Sequence, residues 1–361
     1  HSKAIIFNES KNQIQIFSCI KKSNMPKIVM IGLGLVGTTI LEMMNITPIG
    51  RSLVKQYKSM VIIDMEDKSK EPTVLDLMDS KVKIELVTCQ ITQNNIQDKL
   101  LKYIGKKDLV IDVSYNIYFK PIMCRCFSVG AYYINTSLER WELQDENLLD
   151  TEFIQRTLHE NNIEAKKLKC QNAKSSILLN HGMNPGLISH FGILGLVTVA
   201  HRLLDEAEKA TIDNDLVKQI KSALKSKNYP LLGYLLDLRV LHCSENDTQI
   251  PIKPREPGEF VNSWSSYSFY SEGCDPVQLG WGTQEVDYKT LPGAVLSSGE
   301  PNQIYLPIRG IDMVARSYTY DREIVGMLVS HSENDTLCQL LTLRDPKTGQ
   351  VIHRPSAYYV Y

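Results

Sequence analysis

KIVMIGLGLVG, Lys27 to Gly37, decides how this chain folds. Lys27 to Ile31 reads as a short apolar strand. It runs into Gly32-Leu33-Gly34-Leu35-Val36-Gly37, and an apolar helical pattern follows to about Met44. G-x-G-x-x-G is a weak signal by itself; a strand before it and a helix after it make it a dinucleotide-binding turn. Gly32, Gly34 and Gly37 permit the tight turn, the approach of a pyrophosphate and close helix packing. The free N–H groups of the helix start, around Leu35 and Val36, then face the phosphates. A second apolar strand, MVIID, ends in Asp64. An acid there accepts hydrogen bonds from an adenosine ribose and repels a 2′-phosphate, which favours NAD over NADP. Pro48 to Lys58 reads as a small insertion that lengthens the spacing to Asp64.

Two further strands follow, DLVIDVS (Asp108 to Ser114) and AYYINTS (Ala131 to Ser137). Strands alternating with helical stretches predict an α/β fold with a Rossmann-type, doubly wound parallel sheet. Ser114, Asn116, Asn135 and Thr136 fall at the carboxyl ends of its strands, where such sheets bind ligands, unless they only cap loops. From about Ser175 the texture changes. SILLNHGMNPGLISHF is a strand that breaks at Asn184-Pro185-Gly186 and restarts as a helix, and Arg202 to about Leu241 reads as mostly helical. The expected organisation is a dinucleotide domain over 25–175 and an α+β domain over 176–361. Residues 1–24 form an extension ahead of Met25.

With 361 residues, 43% hydrophobic and 22% charged, the chain has the composition of a globular protein of about two domains. Its net charge of −1 lacks the basic excess of a nucleic-acid or anionic-membrane binder. The best apolar run, FGILGLVTVA from Phe191, is half the length needed to span a bilayer. No signal-peptide h-region precedes Met25. The eight cysteines show no C-x-x-C pair and no metal-ligand spacing, so they read as reduced thiols of a cytoplasmic protein without a metal.

SENDT occurs twice, at Ser244 to Thr248 and Ser332 to Thr336, each time just after a histidine, His242 or His331. Ser, Asn, Asp and Thr are turn formers, so a turn used twice is one reading. Between the copies lies EFVNSWSSYSFYSEGCDPVQLGWGTQE, dense in aromatic residues, glycine and serine. There Trp264 precedes Glu272 by eight positions. An aromatic face beside a carboxylate suits a ligand cation, although a tryptophan is more often core.

Taken together, NHGMNPG, WSSYSFYSEG, LGWGTQE, the two SENDT phrases and the terminal RPSAYYVY resemble bacterial-type homospermidine synthase, of the saccharopine-dehydrogenase-like group, from about Met25 to Tyr361. The resemblance implies a homodimer with tightly held NAD, whose second domain binds substrate and forms the dimer. It implies a reaction that oxidises putrescine to an imine, joins it to a second putrescine with loss of ammonia, and reduces the product by the retained NADH. It also implies that Glu139, Asn184, Glu245, Trp264, Glu272, His331 and Glu333 contact the polyamine. Each SENDT then delivers one carboxylate, Glu245 or Glu333, to one diamine site. Neighbouring like charges further predict a raised pKa for at least one of these two. Two other readings stand beside this one: another NAD-dependent amine or imino-acid dehydrogenase of the group, and a shortened member that binds NAD without turnover. An amino-acid substrate calls for basic residues, whereas the motif residues are acidic.

Overall fold

The computed structural model describes residues 3–8, 13–18, 25–79, 82–141, 157–168, 175–207, 213–297, 299, 302–318 and 321–361. Lys3–Asn8 (β1) and Gln13–Ser18 (β2) pair as an antiparallel hairpin. The glycine turn then opens a parallel sheet of Ile28–Ile31 (β3), Ser59–Asp64 (β4), Lys83–Thr88 (β5), Leu109–Asp112 (β6), Tyr132–Asn135 (β7) and Ile177–Leu178 (β8). Its order is β5-β4-β3-β6-β7-β8. Chain direction reverses its walk between β3 and β6, which is where doubly wound sheets hold ligands.

Successive strand residues face opposite ways. Val29 and Ile31 enter one core with Val61, Val110, Phe119 and Ile122, while Ile28 and Met30 enter the other with Leu41, Met44 and Ile62. Helices cover both faces: Leu35–Ile46 (α1), Pro48–Tyr57 (α2), Pro72–Asp79 (α3), Ile96–Lys99 (α4), Phe119–Val129 (α5) and Leu158–Lys167 (α6). The stretch read as an insertion is α2, with Thr47 accepting from Gly50 N and proline in its first turn. Strand β5 escapes a sequence reading because KIELVT, at the sheet edge, alternates with exposed charged residues. Strand β8 extends this sheet past Ser175.

The second half is α+β, as expected. Leu187–Ala207 (α7), Asn214–Ser226 (α8) and Tyr229–Leu235 (α9) pack on one another. The helical stretch ends earlier than its texture suggests, since Val240–Ser244 (β9) is already strand. After Ser266–Cys274 (α10) come Pro276–Gly280 (β10), Val295–Leu296 (β11), Gln303–Arg309 (β12), Val314–Tyr318 (β13) and Glu323–Val329 (β14). Ser332–Leu340 (α11), the small hairpin of Leu343–Arg344 (β15) and Val351–His353 (β16), and Ser356–Val360 (β17) follow. The mixed sheet runs β11-β12-β10-β17-β14-β13, with β9 parallel to β17 on its other edge.

Helix α7 corrects one expectation. It runs well beyond FGILGLVTVA and, at 21 residues, is by length and composition long and apolar enough to cross a membrane. Leu196 and Ala200 on one face pack with Ile220, Ala223 and Leu232, while Leu187, Phe191, Leu194 and Val199 are exposed.

Candidate active site

At the glycine turn each glycine answers to a different constraint. Gly32 has φ +86°, and a Cβ there would lie 2.9 Å from both Ser114 Cα and Val113 O. A Cβ on Gly37 would meet Gly32 O at 2.6 Å, so α1 and the turn touch backbone to backbone. A Cβ on Gly34 would meet nothing within 4 Å. Gly34 is also the N-cap of α1 and makes no side-chain cap, which leaves the N–H groups of the first turn facing outward. Leu35 and Val36 are exposed beside it. Asp64 Oδ2 accepts from Leu33 N at 2.6 Å and Oδ1 from Glu66 N at 2.8 Å, with Lys68 Nζ 4.0 Å away. The same carboxylate that would meet a ribose thus also shapes the turn.

Across the switch point, Ser114 Oγ donates to Asp112 at 2.6 Å, and Tyr133 donates to the other Asp112 oxygen at 2.8 Å. Burial raises the Asp112 pKa against these two donors. Glu139 is placed here: it accepts from Ser137 Oγ and from the Asn116 backbone, and burial, aided by Asp112, raises its pKa. Asn116 takes a positive φ of 59°. Asn135 is buried and its amide is committed internally, to Tyr133 OH and to Asn180 N, so it braces β7 against the following segment. Thr136 packs its Cβ 3.7 Å from the ideal Cβ position of Gly182.

The remaining acids meet in the second sheet. Strand β17 has β9 along one edge, and on its other edge β10 at Ala357 and β14 at Tyr359 and Val360. One SENDT follows β9 and the other follows β14, so both phrases emerge beside the same strand. They fold differently. Glu245 lies in a loop after Ser244, whereas Ser332 to Thr336 is the first turn of α11. In that turn His331 Nδ1 and Gly186 N both bond Glu333, the latter at 2.8 Å, and His331 Nε2 lies 3.4 Å from Glu272 Oε1. The imidazole stacks on Tyr359, with centroids 4.3 Å apart. Burial pushes the His331 pKa down, but the Glu333 hydrogen bond and charge, then Glu272 and Glu245, outweigh it and hold it up. Burial raises Glu333, and His331 more than reverses this, so its pKa is low.

A buried polar ladder fixes α11. Gln278 Oε1 accepts from Ser330 Oγ and His331 N, and Asn334 Nδ2 donates to Gln278 O. Asp335 lies 3.5 Å from His159 and 3.3 Å from Lys166 of α6, joining the two halves. Beyond Glu333 a cleft of about 410 Å³ opens, with Asn180, His181 and His190 on its walls.

The raised carboxyl is Glu272 rather than Glu333. Burial is its main cause; His331 opposes it, Asp275 and Glu245 add to it, and the result is about 7. Glu333 is lowered because His331 sits between the acids and pairs with it. Trp264 is half-buried and edge-on to Phe269 at 6.0 Å, which in turn lies 5.8 Å from Tyr361. Asn184 Nδ2 donates to Tyr359 OH and, at 3.3 Å, to Tyr361 OH. Its Oδ1 is buried without a hydrogen-bond partner among the described residues. Glu245, Glu272, His331 and Glu333 therefore converge, with Asn184 and Trp264 joined to them through tyrosines and Phe269, while Glu139 lies with the first sheet. Tyr359 and Tyr361 were missed by sequence reading. Their signal was the alternation in SAYYVY, which puts two tyrosines on one strand face.

Fold and site define a dinucleotide-type α/β protein with a second, acid-rich aromatic site. Residues 28–178 match the family described as saccharopine dehydrogenase NADP binding domain. The chain resembles homospermidine synthases along nearly its whole length. It is 29% identical over 347 residues to that of Mesorhizobium japonicum and 28% identical over 342 residues to that of Blastochloris viridis, covering 92% of this chain each time. Among solved structures, the homospermidine synthase of Legionella pneumophila, in complex with NAD, is 27% identical with a TM-score of 0.68 over 93% of this chain. The chain spans 65% of the length of each of these three proteins.

Proposed function

We propose that this protein is an NAD-dependent homospermidine synthase acting on putrescine and related diamines. The observation that carries the reading is the convergence of three carboxyl side chains, Glu245, Glu272 and Glu333, on one imidazole and an aromatic wall. Among the described residues no lysine or arginine forms an ion pair with Glu272 or Glu333, whose ion-pair partner is His331. Such a site is matched to a ligand carrying more than one positive charge, since a buried cation needs paired charge. Asn184 Oδ1 is a buried acceptor without a hydrogen-bond partner among the described residues, of the kind an amine N–H satisfies.

The turn fits NAD. Gly34 leaves open space over the start of α1, and Asp64 stands at the end of β4 to receive a ribose and repel a 2′-phosphate. NAD, when bound, supplies the hydride acceptor and later the donor. The protein's own work is with protons and charge. Freeing an amine from an ammonium of pKa ~10.4 at pH 7 costs roughly 4–5 kcal/mol. A carboxyl near 7 is suited to take that proton, and Glu272 lies 3.4 Å from His331 Nε2. His331, held protonated by Glu333, keeps the cluster from becoming wholly anionic. Trp264 offers a face to cationic iminium species, worth about 0.5–2 kcal/mol.

Incubating the chain with NAD+ and putrescine should yield homospermidine and ammonia, read by mass spectrometry and an ammonia assay. Binding of NAD without product overturns the reading in favour of a non-catalytic member. The same reading includes a homodimer; a monomeric mass by light scattering removes that part of it.

A further inference from the structure

The glycine turn and Glu139 belong to the first sheet and the His331–Glu333 pair to the second, so the distance between them depends on what joins the halves. Helix α6 joins them with two opposite faces. At 3.6 residues per turn, Asn161, Glu164 and Ala165 fall on one side, and His159, Asn162 and Lys166 on the other. The first face is fixed to the first half. Asn161 Nδ2 donates to Leu138 O at 2.8 Å, and Ala165 enters the first core. Glu164 accepts from Tyr118 OH at 2.5 Å and Lys120 Nζ at 2.8 Å, and pairs with Arg140 at 3.0 Å. Leu138 and Arg140 are the chain neighbours of Glu139. The second face meets α11, residue for residue at the same helical spacing. Asn162 Nδ2 lies 3.4 Å from Ser332 Oγ, His159 lies 3.5 Å from Asp335, and Lys166 Nζ lies 3.3 Å from both Asp335 and Gln339. Asn162 is also reached from β7. Its Oδ1 accepts from Asn180 Nδ2 at 2.7 Å, and Asn180 N donates to Asn135 Oδ1 at 2.9 Å.

We propose that α6 is a strut that sets the register of the two halves and so aligns a diamine held by the second sheet with a nucleotide held by the first. Asn162 and Lys166 are its positioning residues. The strut rests on the function proposed above and deepens it. Hydride transfer needs the reacting atoms about 3–3.5 Å apart, and a misplacement of about 1 Å costs up to about 100-fold. Three of the four carried-over acids, Glu245, Glu272 and Glu333, come from the second half, and the glycine turn comes from the first. Each ligand therefore keeps most of its own contacts when the halves shift, and the alignment between the ligands is what is lost. Asn162 and Lys166 act through α11, whose Ser332 lies between His331 and Glu333 in the chain.

The test is the double variant Asn162→Ala/Lys166→Ala. Its kcat for homospermidine formation should fall about tenfold or more, with the KM for putrescine and the calorimetric Kd for NAD within about threefold of wild type. A role in folding alone lowers the melting temperature and leaves kcat per folded molecule unchanged; that result overturns the strut, as does a loss carried by KM or by NAD affinity. Asn162→Asp with Lys166 intact, whose carboxylate accepts from both Asn180 and Ser332, should keep most of the wild-type kcat. If the double variant does not fold, Ser332→Ala, which removes one hydroxyl, takes its place. It should show a smaller loss of the same kind, and an unchanged kcat overturns the strut. A second readout needs no turnover. Nitroxide labels on p-acetylphenylalanine, placed at Lys83 of β5 and at Lys347 between β15 and β16, both exposed, report the distance between the halves by pulsed EPR. The distribution should be narrow in wild type and in Asn162→Asp, and broader in the double variant. Equal widths overturn the strut. A wild type that forms no homospermidine defeats the proposed function instead, and the strut is then judged by the label distances alone.

Discussion

Glu272 carries a carboxyl moved from its ordinary 4.5 to about 7, mainly by burial. Between those values the folded protein keeps a proton that the unfolded chain has lost, so this residue makes stability fall as pH rises from about 4.5 to 7. Glu272→Gln should flatten that slope in urea unfolding measured across the window. The same change should lower turnover by about 10²–10³-fold if Glu272 is the base. His331 slopes the same way as Glu272, and Glu333 the other. The raised His331 stabilises below 6.5 and loses this as pH climbs through its folded value; the lowered Glu333 stabilises above 4.5 and loses this as pH falls. At the glycine turn, Gly34→Ala should leave the melting temperature unchanged, because its Cβ meets nothing, yet weaken NAD about tenfold or more in a titration. Equal losses of stability and affinity would mean that Gly34 serves the fold. Asp64→Arg should shift preference from NAD towards NADP in the same titration.

At the scale of elements, one pentapeptide does two jobs because its neighbours differ. After β14, SENDT enters a helix whose first turn is buried, and Asp335 pairs with His159 and Lys166 of α6. After β9 it is a loop, and Asp247 bonds Ser263 in the open. Asp335→Ala, which leaves a buried pair broken, should cost about 3 kcal/mol in urea unfolding. Asp247→Ala should leave the unfolding midpoint where it is. Comparable losses at both positions would contradict the difference in burial. The aromatic segment before α10 is a second case. Trp264→Phe should keep fold and part of turnover, and Trp264→Ala should abolish most turnover with the fold retained. Normal turnover in a readily unfolding Trp264→Ala protein would make Trp264 a core residue only.

At the scale of the whole molecule, strand β17 gathers what lies far apart in sequence. Glu245 and Glu333 approach each other only because β9 and β14 flank that strand on opposite edges. Glu245→Gln and Glu333→Gln should each weaken diamine binding by calorimetry, and the double variant should lose less than the two losses summed, since both act through His331 and one ligand. Strict additivity would separate the two acids into independent sites.

Local constraints were readable from the chain alone. A strand, three glycines and a helix declare the dinucleotide turn because the backbone there has room for nothing larger at Gly32 and Gly37. The acids of the second half were readable as motif residues, and their sign already spoke for a cationic ligand. Tertiary structure decided the rest. Which SENDT becomes a helix, which carboxyl stays protonated near neutral pH and which aromatic rings line the acids all depend on burial and on partners distant in sequence. Electrostatic shifts follow the dielectric and the nearest charge, and neither is encoded in any short stretch of residues.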